Sequence, residues 1–325
     1  MTRVVAVHAV GGPEALSVED WDVGAPGPGQ ARVRQTAIGL NFIDTYQRSG
    51  LYPLPLPFVA GNEAAGVVTA VGEGVTEVRV GDRVCYQGTP GAYAEERLAP
   101  VQKLVPIPDG IDDQTAAAIL LKGLTAYYLL FKTWPVQKGE SILWHAAAGG
   151  TGLIATQWAR ALGATVIGTA GGPEKVQKAL DHGCHHVIDY SIEDFPTLVR
   201  EFTEGRGVDV VYDGVGKATF EGSLDCLRPR GLLASFGNAS GVVSVPDLGI
   251  LARKGSLYVT RPTGTHYFPQ REQLLEGAEA LFGAVLSGDI KVEIGRTYAL
   301  AEAAEAHRAL EGRETTGSVV LLPQG

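Results

Sequence analysis

The sequence predicts an α/β protein in which a doubly wound parallel sheet is joined to a small β-barrel. Three observations carry this. Residues 139–172 read as strand, glycine turn, amphipathic helix and strand, half of a mononucleotide-binding unit. Between residues 108 and 260, apolar runs of strand length alternate with segments of helical spacing. Upstream of roughly residue 120, short β runs are broken every few residues by glycine or proline, and none alternates with a long helix.

In chain order, the barrel part opens with half-buried strands at residues 3–8 and Leu16–Trp21, separated by Gly11-Gly12-Pro13. Pro26-Gly27-Pro28-Gly29 turns the chain into a strand at residues 31–40. Phe42–Arg48 is a short helix closed by Gly50. Alternate prolines at Pro53, Pro55 and Pro57 then exclude helix and make residues 52–57 a stiff extended loop suited to a pocket rim. Short strands follow at Glu63–Val71, 83–86 and 93–98.

Helical spacing begins after Pro108, at residues 112–121 and 124–131, with a break at Gly123. The sheet is then written as strands 141–145, 165–169, 185–189, Val208–Asp213, 231–235 and 256–260. The intervening helices are expected from Thr151 to a stop at Gly163, and over 174–182, 195–203 and 217–227. Beyond Pro262 come a loop, a helix at 270–286, a strand near 291–294, a helix at 301–310, and Ser318–Leu322, a strand that returns to the barrel. The domain divisions are accordingly 1–122, 123–262 and 263–325.

The glycine turn holds Gly149, Gly150 and Gly152, with Ala147 in the first position of the G-x-G-x-x-G pattern. Unpaired N–H groups at Gly149, Gly150, Thr151 and Gly152, together with the helix dipole, make a pyrophosphate site. About 20 positions on, an NAD site carries a carboxylate for the ribose hydroxyls. Here the chain reads Thr169, Ala170, Gly171, Gly172 and then Lys175. The glycines leave room for a 2′-phosphate, which Lys175 and Tyr190 are placed to bind, with Glu174 turned away in the next helix's first turn. Ligands of such sheets lie beyond the carboxyl ends of the strands. Gly214 and Val215, and Phe236, Gly237 and Asn238, are therefore expected along the cofactor trough, unless their glycines are plain strand-end turns.

The segment 139–160, with Gly139-Glu140, Leu143, Ala147-Ala148-Gly149-Gly150, Gly152, Gln157 and Arg160, resembles the signature of quinone oxidoreductases of the zeta-crystallin type, in the medium-chain dehydrogenase/reductase superfamily. Segments 38–53 (IGLNFIDTYQRSGLYP), 121–130 (LKGLTAYYLL), 235–241 (SFGNASG) and 254–262 (KGSLYVTRP) extend the likeness over nearly the whole chain. The resemblance implies a GroES-like β-barrel catalytic domain wrapped in sequence around a Rossmann domain, NADPH as cofactor, and reduction of a small-molecule quinone without metal. Donors to the oxygen that gains charge are then sought among Asn41, Tyr46, Tyr52 and Lys122. Asn41, Tyr46 and Tyr128 are also expected beside the cofactor; Arg313 is expected either to reach its phosphates or to remain a solvated loop charge.

Zinc-dependent members of that superfamily need a thiolate and an imidazole on catalytic zinc, and many hold a second zinc on four close cysteines. The position resembling the first ligand is Asn41, and Gly61-Asn62-Glu63 replaces glycine-histidine-glutamate. Cys85, Cys184 and Cys226 are scattered, so no zinc is expected and no disulfide framework either. His145, His185 and His186 read as ordinary surface or strand-end residues.

Composition bounds the rest. A formal charge of −9 over 325 residues, with no Lys/Arg run, argues against a nucleic-acid surface. No apolar run is seen that approaches the ~20 residues of a membrane span, and MTRVVAVHAVGG is already strand and turn, so a cytoplasmic protein is expected. Residues 256–260, last in the sheet, would leave an open edge unless paired with a copy in a homodimer. Two alternatives stay open: reduction of enones or alkenals with the same cofactor, and a non-catalytic NADPH-binding protein, crystallin-like or RNA-binding.

Overall fold

Six strands run parallel in the order His186–Asp189, Thr165–Ala170, Ser141–Trp144, Val208–Asp213, Leu227–Ser235 and Tyr258–Thr260. Numbered along the chain this is 3-2-1-4-5-6, the doubly wound order, with its reversal beside Ser141–Trp144. The structure, a computed structural model, describes residues 1–245 and 247–323. Two compact units are present. One takes Met1–Leu124, Phe268–Leu286 and the chain from Val292 onward; the other takes Thr125–Tyr267 and Ser287–Lys291. The expected divisions at 122 and 262 lie a few residues short of these. Residues 287–291 fall in the second unit because Gln157 bonds Lys291 both ways, accepting its N–H at 3.0 Å and donating to its carbonyl at 3.1 Å.

In the second unit the strands are apolar on both faces, as a sheet covered by helices requires. Leu143, Ile167, Ile188, Val211 and Leu233 are fully buried in one core cluster. The helix Gly150–Ala161 turns Leu153, Ile154, Ala155, Trp158 and Ala159 inward. Trp158 meets Phe131 and Tyr127 in an aromatic cluster with ring centroids 5.1 and 6.0 Å away.

The first unit is built on strands. A three-stranded sheet orders Leu16–Trp21, Thr2–Val7 and Phe58–Val59. A seven-stranded one runs from Ile294–Ala299 through Ser318–Leu322, Gln30–Leu40, Glu63–Val71 and Arg83–Gln87 to Val105–Pro106, with Glu96–Pro100 also paired to Gln30–Leu40. Ser318–Leu322 does return, pairing antiparallel with Gln30–Leu40. Alternate residues Val33, Ile38, Leu40, Val84, Tyr86, Val319 and Leu321 fill the shared core.

Several expectations need correction. Gly123 does not break a helix: Asp113–Tyr127 is continuous and runs on through the π-helical turn Tyr128–Thr133. Gly123 serves close packing, since a Cβ there would lie 2.4 Å from the Leu281 methyls of helix Arg271–Leu286. The 21 residues Asp113–Thr133 are also long and apolar enough to cross a membrane by length and composition, which the residue-by-residue reading missed. They form a core helix that is mostly buried. Residues 93–95 are not regular strand, because the Gln35 amide takes the carbonyls of Ala92 and Ala94. The helix expected at 217–227 is confined to Phe220–Cys226, and the next strand already starts at Leu227. The strand placed near 291–294 is Ile294–Ala299, and short helices at Gly249–Arg253 and Gly264–Tyr267 had no periodic signal to reveal them.

Candidate active site

The nucleotide turn is built by steric necessity. Ala146 takes φ +55°, the Gly149 N–H closes on the Ala146 carbonyl at 3.0 Å, and the Ala147 N–H bonds the Thr169 carbonyl at 2.9 Å. A Cβ at Gly152 would lie 2.5 and 2.6 Å from the carbonyl oxygens of Ala146 and Ala147, so only glycine lets the helix start this close to the turn. Gly149 is the N-cap, and no side chain caps the helix; the N–H groups of its first turn face outward for an anion.

At the tip of Thr165–Ala170 the structure brings Gly171 and Tyr190 together: a Cβ at Gly171 would come within 2.8 Å of the Tyr190 hydroxyl. Gly172 has φ +85° and begins the helix Pro173–Asp181, on which Glu174 is exposed and Lys175 half-buried. Asp189, which the sequence reading passed over, orders this corner. Its carboxylate accepts the Gly172 N–H and the Ser191 N–H, each at 3.0 Å, and these bonds hold its pKa below the usual carboxylate value.

The loops after the fourth and fifth strands of this sheet pack on each other. A Cβ at Gly237 would meet the Gly214 carbonyl at 2.3 Å, so this glycine answers to protein backbone; the expectation of a ligand approach is not needed to explain it. The Val215 N–H bonds Asp213 at 2.8 Å, and the Phe236 ring leans on Trp144 with centroids 5.5 Å apart. Tyr128 stacks on Tyr267 at 4.6 Å, nearly parallel, within the π-helical segment. His145 is the strand-end residue of the two expected kinds: it directly follows Ser141–Trp144 and is buried, not at the surface. Arg313 is exposed, in the left-handed position that ends helix Ala303–Glu311.

In the first unit the candidate donors fall into two groups. Tyr46 and Tyr52 are half-buried and meet edge to face at 5.3 Å, and the Tyr52 N–H bonds the Tyr46 carbonyl at 3.0 Å. Asn41 and Lys122 are buried and converge on Glu63. The Asn41 amide donates to Glu63 Oε2 at 2.8 Å and to the Gly39 carbonyl at 3.3 Å; Lys122 Nζ lies 3.3 Å from Oε2, and the Leu121 N–H donates to Oε1 at 2.6 Å. With both amide hydrogens engaged, Asn41 orients its neighbours more readily than it donates to a substrate.

Beside this lies a polar network that the sequence reading did not find. Asp44 accepts the Asn41 N–H at 2.9 Å, the Asn62 amide at 2.7 Å and the Tyr93 hydroxyl at 3.1 Å. Tyr93 also meets His307 Nε2 at 2.9 Å, and the other His307 nitrogen faces Arg48, which holds Glu311 through two bonds. Burial pushes Asp44 up to about 6 against those donors, and burial with Arg48 alongside brings His307 down to about 3. At neutral pH the aspartate is thus the anion and the histidine neutral.

Residues 27–109 match the family described as alcohol dehydrogenase GroES-like domain, and residues 150–277 match the one described as zinc-binding dehydrogenase. The chain is 56% identical to a quinone oxidoreductase of Pseudomonas aeruginosa over 99% of its own length and all of the relative's. It belongs to the quinone oxidoreductases of the medium-chain dehydrogenase/reductase superfamily. A 2-haloacrylate reductase of a Burkholderia species is 51% identical, with both chains covered in full. The crystal structure of Escherichia coli quinone oxidoreductase complexed with NADPH superposes with a TM-score of 0.97 at 49% identity, over 99% of this chain and 100% of that one. Zinc, which the second family's name carries, does not fit a quinone oxidoreductase with these residues. Asn41 and Asn62 are amides already spent on Glu63, Asp44 and Gln47, and no cluster of three His, Cys, Asp or Glu is poised for a metal among the described residues. A dinucleotide phosphate does fit, because the Gly152 cradle and the helix start without a side-chain cap suit its charged groups.

Proposed function

We propose that this chain reduces quinones with NADPH. The observation that carries the reading is the tip of Thr165–Ala170, where Gly171 and Tyr190 meet and Lys175 follows on the next helix, in place of a carboxylate at the end of that strand. The N–H groups of Gly150, Thr151 and Gly152 bind the pyrophosphate, with Gly149, whose own N–H is held by the Ala146 carbonyl, shaping the turn, and Lys175 and Tyr190 take the 2′-phosphate. Gly214, Val215, Phe236, Gly237 and Asn238 line the trough, with Tyr128 held in place by its stack on Tyr267. The bound nicotinamide supplies a hydride.

The first unit supplies hydrogen-bond donors. The Tyr46 and Tyr52 hydroxyls meet the oxygen that gains charge, and Asn41 and Lys122, pinned on Glu63, fix the start of helix Phe42–Arg48 that carries Tyr46. A quinone becomes an aromatic hydroquinone, so it needs less polarisation than a ketone and no Lewis acid.

The 2-haloacrylate reductase among the relatives favours one second reading, hydride delivery to an activated alkene. Steady-state assays with NADPH and 1,4-benzoquinone, 9,10-phenanthrenequinone, 2-alkenals and 2-haloacrylate separate the two. Quinone turnover is expected; turnover of alkenes alone would replace the first reading by the second. Net charge argues against a nucleic-acid partner, and three buried free thiols suit a reducing compartment such as the cytosol.

Tyr258–Thr260 is the outer strand of its sheet, with Tyr258 60% exposed and Val259 37% exposed. An edge this apolar invites pairing, and we assign it to a two-fold homodimer. Light scattering at micromolar concentration should read twice the chain mass; a monomer would remove the assignment.

A further inference from the structure

We propose that His145 is a positioning residue for the dinucleotide: it ties the tips of the two strands flanking the sheet's reversal point to each other and thereby sets cofactor affinity. The inference rests on NADPH being the ligand of this unit. His145 is the first residue past Ser141–Trp144, the strand that lies between Thr165–Ala170 and Val208–Asp213, and it leads directly into the Ala146–Gly149 turn. It is 1% exposed. Its Nδ1 lies 2.9 Å from Thr169 Oγ1, and its Nε2 lies 2.9 Å from Ser223 Oγ. The Phe195 ring stands edge-on to the imidazole, 5.0 Å away.

The direction of every bond in this chain is fixed from its far end. The Asp213 carboxylate accepts the Val215 and Gly216 N–H groups at 2.8 and 2.9 Å on one oxygen, and the Thr219 and Ser223 hydroxyls at 2.7 and 3.1 Å on the other. Ser223 has one hydrogen and spends it there, so its oxygen must accept from His145 Nε2–H. Nδ1 is then bare and accepts the Thr169 hydroxyl. Burial lowers the histidine's pKa, which keeps it neutral in this one tautomer at ordinary pH.

Each end of the chain touches a cofactor loop. Thr169 lies two residues before Gly171, and its carbonyl takes the Ala147 N–H of the phosphate turn at 2.9 Å. Asp213 directly precedes Gly214 and holds Val215 and Gly216 by their backbone. One imidazole therefore couples the phosphate turn, the 2′-phosphate corner and the loop after Val208–Asp213.

The test uses Thr169→Val, which removes one hydroxyl from a strand and keeps its shape, with His145→Leu and His145→Gln. NADPH Kd is measured by fluorescence titration, kcat with 1,4-benzoquinone at saturating NADPH, and Tm by calorimetry. Thr169→Val should raise Kd by about tenfold, the worth of one buried hydrogen bond, and leave kcat within about twofold. His145→Leu should raise Kd further, and His145→Gln, which keeps an acceptor and a donor, should recover part of the loss. In ¹⁵N spectra His145 should show the neutral Nε2–H form. Kd values within about twofold of wild type in Thr169→Val and His145→Leu, or in Thr169→Val alone if the other does not fold, would overturn the proposal whatever happens to Tm. So would a charged or Nδ1–H imidazole at pH 7. A wild-type protein that binds no NADPH would overturn the cofactor reading as well, whereas normal wild-type binding with unaffected variants would overturn only the role of His145.

Discussion

Gly152→Val should weaken NADPH binding by about 100-fold or more, some 2.7 kcal/mol, while the protein still folds. The first atom of any side chain at 152 lies 2.5 Å from one carbonyl oxygen and 2.6 Å from another, and neither can yield. Both belong to the turn, whose Ala147 N–H is bonded to Thr169 and whose Gly149 N–H is bonded to Ala146. The helix must move away from the turn, and the N–H groups that would meet the pyrophosphate lose their common focus. Gly283→Ala is the matched control: it sits in helix Arg271–Leu286 with nothing within 4 Å of the added methyl, and should leave binding unchanged. Fluorescence titration reads both. Normal affinity in Gly152→Val would mean that the turn does not hold the nucleotide.

Glu63→Ala should destabilise the protein by about 3–5 kcal/mol, because it strands a buried ammonium. Glu63 is fully buried, and it accepts from the Lys122 ammonium, the Leu121 N–H and one hydrogen of the Asn41 amide. A water in the vacated space cannot match a carboxylate. Replacing both charges, Glu63→Leu with Lys122→Met, should recover much of that loss, since a well-packed apolar pair often equals a buried ion pair. Urea unfolding measures both. A loss below about 1 kcal/mol in the single variant would show the pair to be solvated in solution. The packing is close here: a Cβ on Gly39 would lie 2.4 Å from Glu63 Oε2 and 2.2 Å from the Ala117 carbonyl.

The sheet was legible because its signals are local. Runs such as Val208–Asp213 carry their burial in composition, and a glycine turn between strand and helix states its own geometry. The meeting of Gly171 with Tyr190 lies within one strand–helix–strand stretch, where sequence spacing reaches. A glycine misled where its cause was distant: Gly123 reads as a helix stop but answers to Leu281. The polar networks were invisible. Tyr93 bonds Asp44 across 49 positions and His307 across 214, and no spacing rule joins residues that only the fold brings together. Asn41 was singled out by its place in the superfamily pattern; that Glu63 occupies its amide needed coordinates.

Isothermal calorimetry of NADPH and NADH, titrated side by side into the same preparation, tests the central claim most directly. Lys175 and Tyr190 predict that NADPH binds at least about tenfold tighter, the difference made by one charge-assisted contact to the 2′-phosphate. Equal affinities, or a preference for NADH, would contradict it.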